Sequence, residues 1–354
     1  MSDVVLIGLS GGVDSSLAAI LLKEQGYDVI GVSMSIYNKD IPNLIGGNAC
    51  YGPFEKPEIT NIHEFGKKIG IKTFVFDCSE EYKNTILSYF QNEYKAGRTP
   101  NPCVKCNELM KFGLLLQKAE SEGIAFDYFA TGHYCQTEYK DGRYLLKKGI
   151  DEKKDQSYFL YKLNQTQLSK VIFPLGSMTK EEVRRIAKEK GLDVADKADS
   201  QDFYSGNYND LLQMPIKKGN IMLPNGTVLG VHNGYWNYTI GQRKGLGVSY
   251  SEPLFVLDMD AHRNIVWVGT QKDAQKTECY IEDLHWIKFD KPADNFKAFA
   301  KQRSTAKPAA VSVSIYGDKA KIKYEDVQKS FTPGQSLVLY DGDYVIGGGI
   351  ICKE

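Results

Sequence analysis

The chain has 354 residues, 42% hydrophobic and 25% charged, the composition of a soluble globular protein too long for one ordinary core. Lys plus Arg and Asp plus Glu both number 44, which excludes a globally basic nucleic-acid binder and leaves any polyanion site to local clusters. No apolar run approaches the roughly 20 residues of a membrane span, and the first residues form no basic-then-apolar export signal, so a cytoplasmic protein without a membrane partner is expected.

The first apolar run, Val4-Val5-Leu6-Ile7, predicts a strand. It leads through Gly8 and Leu9 into Ser10-Gly11-Gly12-Val13-Asp14-Ser15-Ser16 and then into an apolar stretch with helical spacing. A strand, a Gly-rich turn and a helix start make a phosphate cradle. The glycines let the backbone approach an anion, Ser15 and Ser16 add hydroxyls, and the first helical amides carry the positive end of the helix dipole. The Lys that an ordinary P-loop places after its last Gly is missing, and Asp14 sits in the loop instead. That suits a departing pyrophosphate with Asp14 beside its Mg²⁺. SGGVDSS resembles the PP-loop of ATP pyrophosphatases, which adenylate a substrate.

Further strands are predicted over Val29–Met34, Thr73–Asp77 and Tyr128–His133, with a helix over Ile59–Ile69 between them. Apolar strands alternating with helices indicate a doubly wound parallel sheet whose ligands sit beyond the strand carboxyl ends, where Ser10–Ser16, Met34 and Gly132-His133 fall. Residues 41–57 and 96–107 read as irregular connections, the second followed by a helix over Glu108–Glu120. Another helix is predicted after Thr179, which has capping-box spacing to Glu182. Beyond about residue 200 the segments are short and β-like. The division expected is 1–204 for adenylation, 205–276 for a small central domain and 277–354 for a β-barrel.

Seven cysteines in a chain of this size do not read as a disulfide framework. Cys103-Val104-Lys105-Cys106 permits half a zinc site, a redox pair or a thiolate nucleophile; the chain has no second C-x-x-C or Cys/His pair to complete a zinc site. A cysteine at a helix start beside Lys105 would have its thiolate stabilised, and a thiolate near a nucleotide loop suggests sulfur transfer.

SGGVDSS, GRTPNPCVKCN with KFG after it, ATGHY, KKDQSYFL, YTIGQRKGLG and FTPGQS occur in that order. With them the whole chain resembles the tRNA-specific 2-thiouridylases of the MnmA family. The resemblance implies ATP-dependent replacement of the C2 oxygen of the wobble uridine by sulfur, with tRNA, ATP, Mg²⁺ and a persulfide sulfur-donor protein as partners. It also implies roles. Gly8, Leu9, Ser10, Gly11, Gly12, Val13, Asp14, Ser15, Met34 and Gly132 would hold ATP. Cys106, before Asn107 and Lys111-Phe112, would be the nucleophile. Asn101, Pro102 and Cys103 would line the base pocket, and His133, Lys154, Asp155, Gln156, Arg303, Ser304 and Gln335 would touch tRNA. Lys147, Lys148, Lys153 and Lys154 crowd one loop and Lys180, Arg184, Arg185 and Lys188 one helix, suiting either phosphate contacts or solvated faces. Tyr134 is a candidate platform for an extruded base.

One departure matters. Where most members carry a second catalytic cysteine, after a D-S-x-x-x pattern, this chain has Asp199-Ser200 and then Tyr204. Either Cys103 acts as carrier or resolving thiol, or Cys50 joins Cys103 and Cys106 around an iron–sulfur cluster, or activity is reduced. Competing readings are a PP-loop ligase acting on a small molecule and a non-catalytic tRNA-binding protein.

Overall fold

The computed structural model describes residues 2–37, 41, 49–53, 55–197, 199 and 203–353, with 55–57 described by backbone alone. Of the irregular stretch predicted over 41–57, residues 42–48 and 54 therefore lie outside the described residues, and 55–57 already belong to a helix.

The expected three-part architecture is present. Strands β1 (Val4–Gly8), β2 (Asp28–Ser35), β3 (Lys72–Asp77), β4 (Tyr128–Ala130) and β7 (Val171–Ile172) form a parallel sheet in the order β3-β2-β1-β4-β7. β1 is central and its Val5, Leu6 and Ile7 are fully buried, as a continuous apolar run between two helical layers requires. α1 (Val13–Glu24) and α2 (Glu55–Ile69) pack beside it.

Two local readings needed correction. The cysteine stretch is helical, running from α3 (Pro102–Lys105) through a π-helical segment, Cys106–Leu114, to Ser121. Asn101 caps it, its side chain accepting from Val104 N at 3.3 Å, with Pro102 at the first turn where a missing N–H costs nothing. The strand predicted over Tyr128–His133 ends at Ala130, and the chain goes on into a hairpin, β5 (Cys135–Lys140) and β6 (Arg143–Lys148). α4 (Lys180–Glu189) starts at Thr179 with the predicted capping box.

The central segment forms a four-stranded sheet, β10-β11-β8-β9, from β8 (Gly219–Met222), β9 (Val228–His232), β10 (Phe255–Asp260) and β11 (Ile265–Gly269). The last six strands are β12 (Lys276–Trp286), β13 (Asn295–Lys301), β14 (Ala309–Tyr316), β15 (Lys319–Gln328), β16 (Ser336–Asp341) and β17 (Tyr344–Cys352). They run β12-β15-β14-β13-β16-β17, and β12 pairs back onto β17 to close a barrel. The β5–β6 hairpin joins this sheet at β17 through Tyr344 and Lys147. No helix among the described residues is long and apolar enough to cross a membrane.

Candidate active site

The Gly-rich turn sits at the carboxyl end of β1, where Leu9 N donates to Val32 O at 2.8 Å. Gly11 has φ +69°, a conformation that L side chains rarely adopt, and it swings the chain into the first turn of α1. Ser15 Oγ accepts from Ser10 N at 3.1 Å, lies 3.2 Å from Ser10 Oγ and donates to Gly12 O at 3.3 Å, so the loop is braced internally. Ser15 and Ser16 are both buried. Gly132, just past β4, lies against this turn: a Cβ there would come within 2.8 Å of Ser15 N and 2.9 Å of Asp14 C. Met34 lies near the end of β2, partly exposed.

Asp14 is held from two sides. Lys180 Nζ reaches its two carboxylate oxygens at 2.7 and 2.8 Å, and Tyr134 OH donates to Oδ1 at 2.7 Å. Tyr134 is 2% exposed, so it is a buried brace and has no face to offer an extruded base. Burial and then the neighbouring Asp14 carboxylate push its hydroxyl far above the usual phenol range. Unlike Arg185 and Lys188 of α4, Lys180 turns its side chain inward, where it also contacts Asp199 at 2.8 Å.

The helix that carries Cys103 and Cys106 packs beside the end of β4. His133 follows Gly132, and its ring centroid lies 6.1 Å from that of Phe112 on the cysteine-bearing helix. Phe112 in turn packs edge-on against Phe129 of β4 at 5.3 Å. The Lys111 charge acts on both His133 and Cys106. Burial first, then Lys111, takes the His133 imidazole well below its usual range, and Thr131 Oγ1 lies 2.7 Å from its Nδ1. His133 is therefore neutral near pH 7 and suited to hydrogen bonding rather than phosphate pairing.

Cys106 departs from expectation. Burial pushes its thiol up to about 11, Lys111 offsetting only part of this and Cys50 adding to it. The helix start does not dominate, because Cys106 lies beyond the first turn. Lys105 is engaged elsewhere, with Glu108 at 3.2 Å and Asp283 at 4.0 Å. Cys103 and Cys106 are partly exposed and Cys50 is exposed; all seven cysteines are thiols. Burial, reinforced by Cys106, Cys50 and Cys103, raises the Tyr82 hydroxyl well above its normal value. Tyr51 stacks on Tyr82 with centroids 5.5 Å apart and donates its N–H to Phe203 O at 2.9 Å, tying Cys50's segment to both. Tyr204 is 1% exposed with its hydroxyl on Asp210 at 3.0 Å, a core residue.

The residues implied in tRNA contact fall into two sets. Lys154 is partly exposed and its Nζ meets Asp199 at 2.6 Å, while Arg303 is exposed and donates to Thr332 Oγ1 at 3.0 Å. Ser304 is partly exposed. The others bind the protein itself. The Asp155 carboxylate, 4% exposed, accepts from Gly149 N, Ser157 N and Ser157 Oγ. Gln156 Oε1 accepts from Tyr134 N at 3.0 Å. Gln335 Nε2 donates to Thr99 O and Pro100 O at 3.0 and 2.8 Å, clasping the stretch that leads to Asn101, Pro102 and Cys103.

Residues 3–204 match the family described as "tRNA methyl transferase HUP domain", 211–270 its "PRC-barrel domain", and 276–351 an "Aminomethyltransferase beta-barrel domain". The chain is 47% identical to a tRNA-specific 2-thiouridylase MnmA of Endomicrobium trichonymphae, over 98% of each chain. It is 46% identical to an MnmA of Caldanaerobacter subterraneus and 42% identical to one of Clostridioides difficile, in each case over 100% of this chain and 99% of the other. The chain belongs to the MnmA family of tRNA-specific 2-thiouridylases.

Against that family, the turn fits a pyrophosphate: Gly11 at φ +69° leads the chain into the first amides of α1, Gly132 leaves no room for a side chain beside Ser15 N, and Asp14, held by Lys180 and Tyr134, is the carboxylate for an accompanying Mg²⁺. An iron–sulfur cluster does not fit. Among the described residues no three His, Cys, Asp or Glu side chains converge as a metal requires, Cys50, Cys103 and Cys106 included. Lys180 and Lys111 are the residues that sequence reasoning missed. A lysine in the first turn of a helix, where the dipole favours acidic residues, was the faint signal for the first.

Proposed function

We propose that this chain is an ATP-dependent sulfurtransferase that converts the C2 oxygen of the tRNA wobble uridine to sulfur. The supporting observation is the adjacency of the two sites: Gly132 backs the turn at Asp14, and His133 meets the helix carrying Lys111 and Cys106. The uridine O2 attacks the α-phosphorus of ATP and pyrophosphate leaves along the amides of Gly11–Ser15. Mg²⁺, when bound, neutralises that leaving group. A persulfide sulfur on Cys106 then attacks C2, and AMP departs with the former O2, leaving a Cys106–S–S–C2 adduct. Attack of a second thiolate, Cys103, on Cys106 Sγ frees the 2-thiouridine and leaves a Cys103–Cys106 disulfide, which an external dithiol reduces.

The thiol value of about 11 gives Lys111 a task before the attack on C2, since Cys106 must lose its proton to take the outer sulfur from the donor persulfide, whose own thiolate then leaves. The segment 1–204 is assigned adenylation, and 277–354, with Arg303, Ser304 and Gln335, the RNA; Gln335 acts by fixing the base-pocket stretch. The donor is a persulfide-carrying protein, and the compartment assigned is the cytoplasm.

The experiment is pyrophosphate release together with mass spectrometry of unmodified tRNA. Release from ATP that needs tRNA, with 2-thiouridine appearing when a persulfide is supplied, is the expected result. Release on a small molecule without tRNA, or tRNA left unmodified, overturns the reading. Unchanged turnover in Cys103→Ser removes Cys103 as the second thiol.

A further inference from the structure

We propose that Lys154, Asp199, Lys180 and Asp14 form a charge relay through which RNA at the Lys154 loop prepares the nucleotide loop, an inference that rests on the function proposed above. The four groups touch in sequence. Lys154 Nζ lies 2.6 Å from Asp199 Oδ2, Lys180 Nζ lies 2.8 Å from Asp199 Oδ1, and Lys180 Nζ lies 2.7 and 2.8 Å from the two oxygens of Asp14. Arg184 adds a third cation to Asp199 at 3.3 Å. Although burial opposes it, the ammonium groups of Lys154 and Lys180 hold the Asp199 carboxyl at about 2, so Asp199 stays a carboxylate between the two ammonium groups near pH 7.

Exposure gives the relay a direction. The Lys154 side chain is 37% exposed and within reach of an RNA phosphate, whereas that of Lys180 is 10% exposed. On the same helix Arg185 and Lys188 pair outward with Glu189 and Asp196, but Lys180 turns in, and its backbone N–H is fixed by Asp151 at 2.9 Å. Asp151 also accepts from Lys153 N, and Lys154 N donates to Asp151 O at 3.0 Å, so the loop and the start of α4 are one hydrogen-bonded unit.

Coulomb's law fixes the sign. A phosphate that draws the Lys154 ammonium away leaves Asp199 short of positive charge, and Asp199 then attracts Lys180 more strongly. Lys180 shared between two carboxylates shifts toward Asp199, and the Asp14 carboxylate is released toward the divalent cation that accompanies ATP. In the protein interior such redistributions are weakly screened. Without RNA, Lys180 occupies Asp14 and competes with that cation.

The test is the dissociation constant of an ATP analogue carrying a methylene between its α- and β-phosphorus atoms, with Mg²⁺, on the full chain. It is measured with and without unmodified tRNA. The wild type should bind the analogue about tenfold more tightly with tRNA. Lys154→Met should show that tighter constant without RNA and no further response, and Lys154→Arg should behave as wild type. An RNA-free constant for Lys154→Met equal to or weaker than wild type overturns the relay. These RNA-free isotherms stand apart from thiolation: wild type that leaves tRNA unmodified defeats the proposed function, while the Lys154 comparison still decides whether that loop communicates with Asp14.

Discussion

The nucleotide turn and the cysteine helix are neighbours built on opposite principles. The turn is made by consecutive residues, with Ser10, Gly12 and Ser15 bonded to one another inside a span of six. Its backbone shape is set within that span, and only the Asp14 carboxylate is held from afar, by Tyr134 and Lys180. The cysteine helix takes more of its properties from a distance: Cys50 acts on Cys106, Gln335 of the barrel clasps Thr99 and Pro100, and Phe203 holds Tyr51. A cradle can be specified locally, but a thiol's reactivity is set by whatever surrounds it.

Separate failure is the sharpest consequence. Cys106→Ser should abolish 2-thiouridine formation while tRNA binding and tRNA-dependent pyrophosphate release persist in a single turnover. Joint loss of both would show that the regions are not separable. Asp14→Ala should reduce pyrophosphate release on the order of 100-fold or more, read in the same assay. Gly132→Ala forces a methyl against Ser15 N and should raise the KM for ATP about tenfold, the effect of roughly 1–3 kcal/mol of overpacking, with thiol reactivity unchanged.

The thiol side is checked by pH. In the RNA-free enzyme, alkylation of Cys106 should stay slow at pH 7 and accelerate as pH rises toward about 11, while exposed Cys50 reacts first. Because the folded value lies above the ordinary thiol value, the protonated group supports folding below that ordinary value. The contribution is lost as pH climbs through about 11. A Cys106 that alkylates rapidly at pH 7 would contradict this. Last, Thr179→Ala removes a side-chain cap and should cost about 1 kcal/mol and lower Tm by about 2 °C, since it leaves the Lys180 contacts in place.

Legibility followed the same division. The order of strands and helices in the first half, the Gly-rich turn and the Thr179 cap could be read because periodicity and capping are short-range signals. The helical state of Cys103–Cys106 was obscured by Pro100 and Pro102, which read as breakers although Pro102 lies in a first turn. The barrel attachment of Cys135–Lys148 depends on Lys147 meeting Tyr344, a pairing that no local pattern announces. Asp14 and Lys180 are 166 residues apart, so the turn was legible while its counter-ion was not.

The hairpin on β17 also bears on how the chain can be cut. Removing the last six strands would strip β6 of its outer neighbour, leaving bare amides and carbonyls that invite sheet growth between molecules. The terminal barrel is thus not a detachable accessory, and a shortened enzyme ending near 276 should be recovered as aggregates.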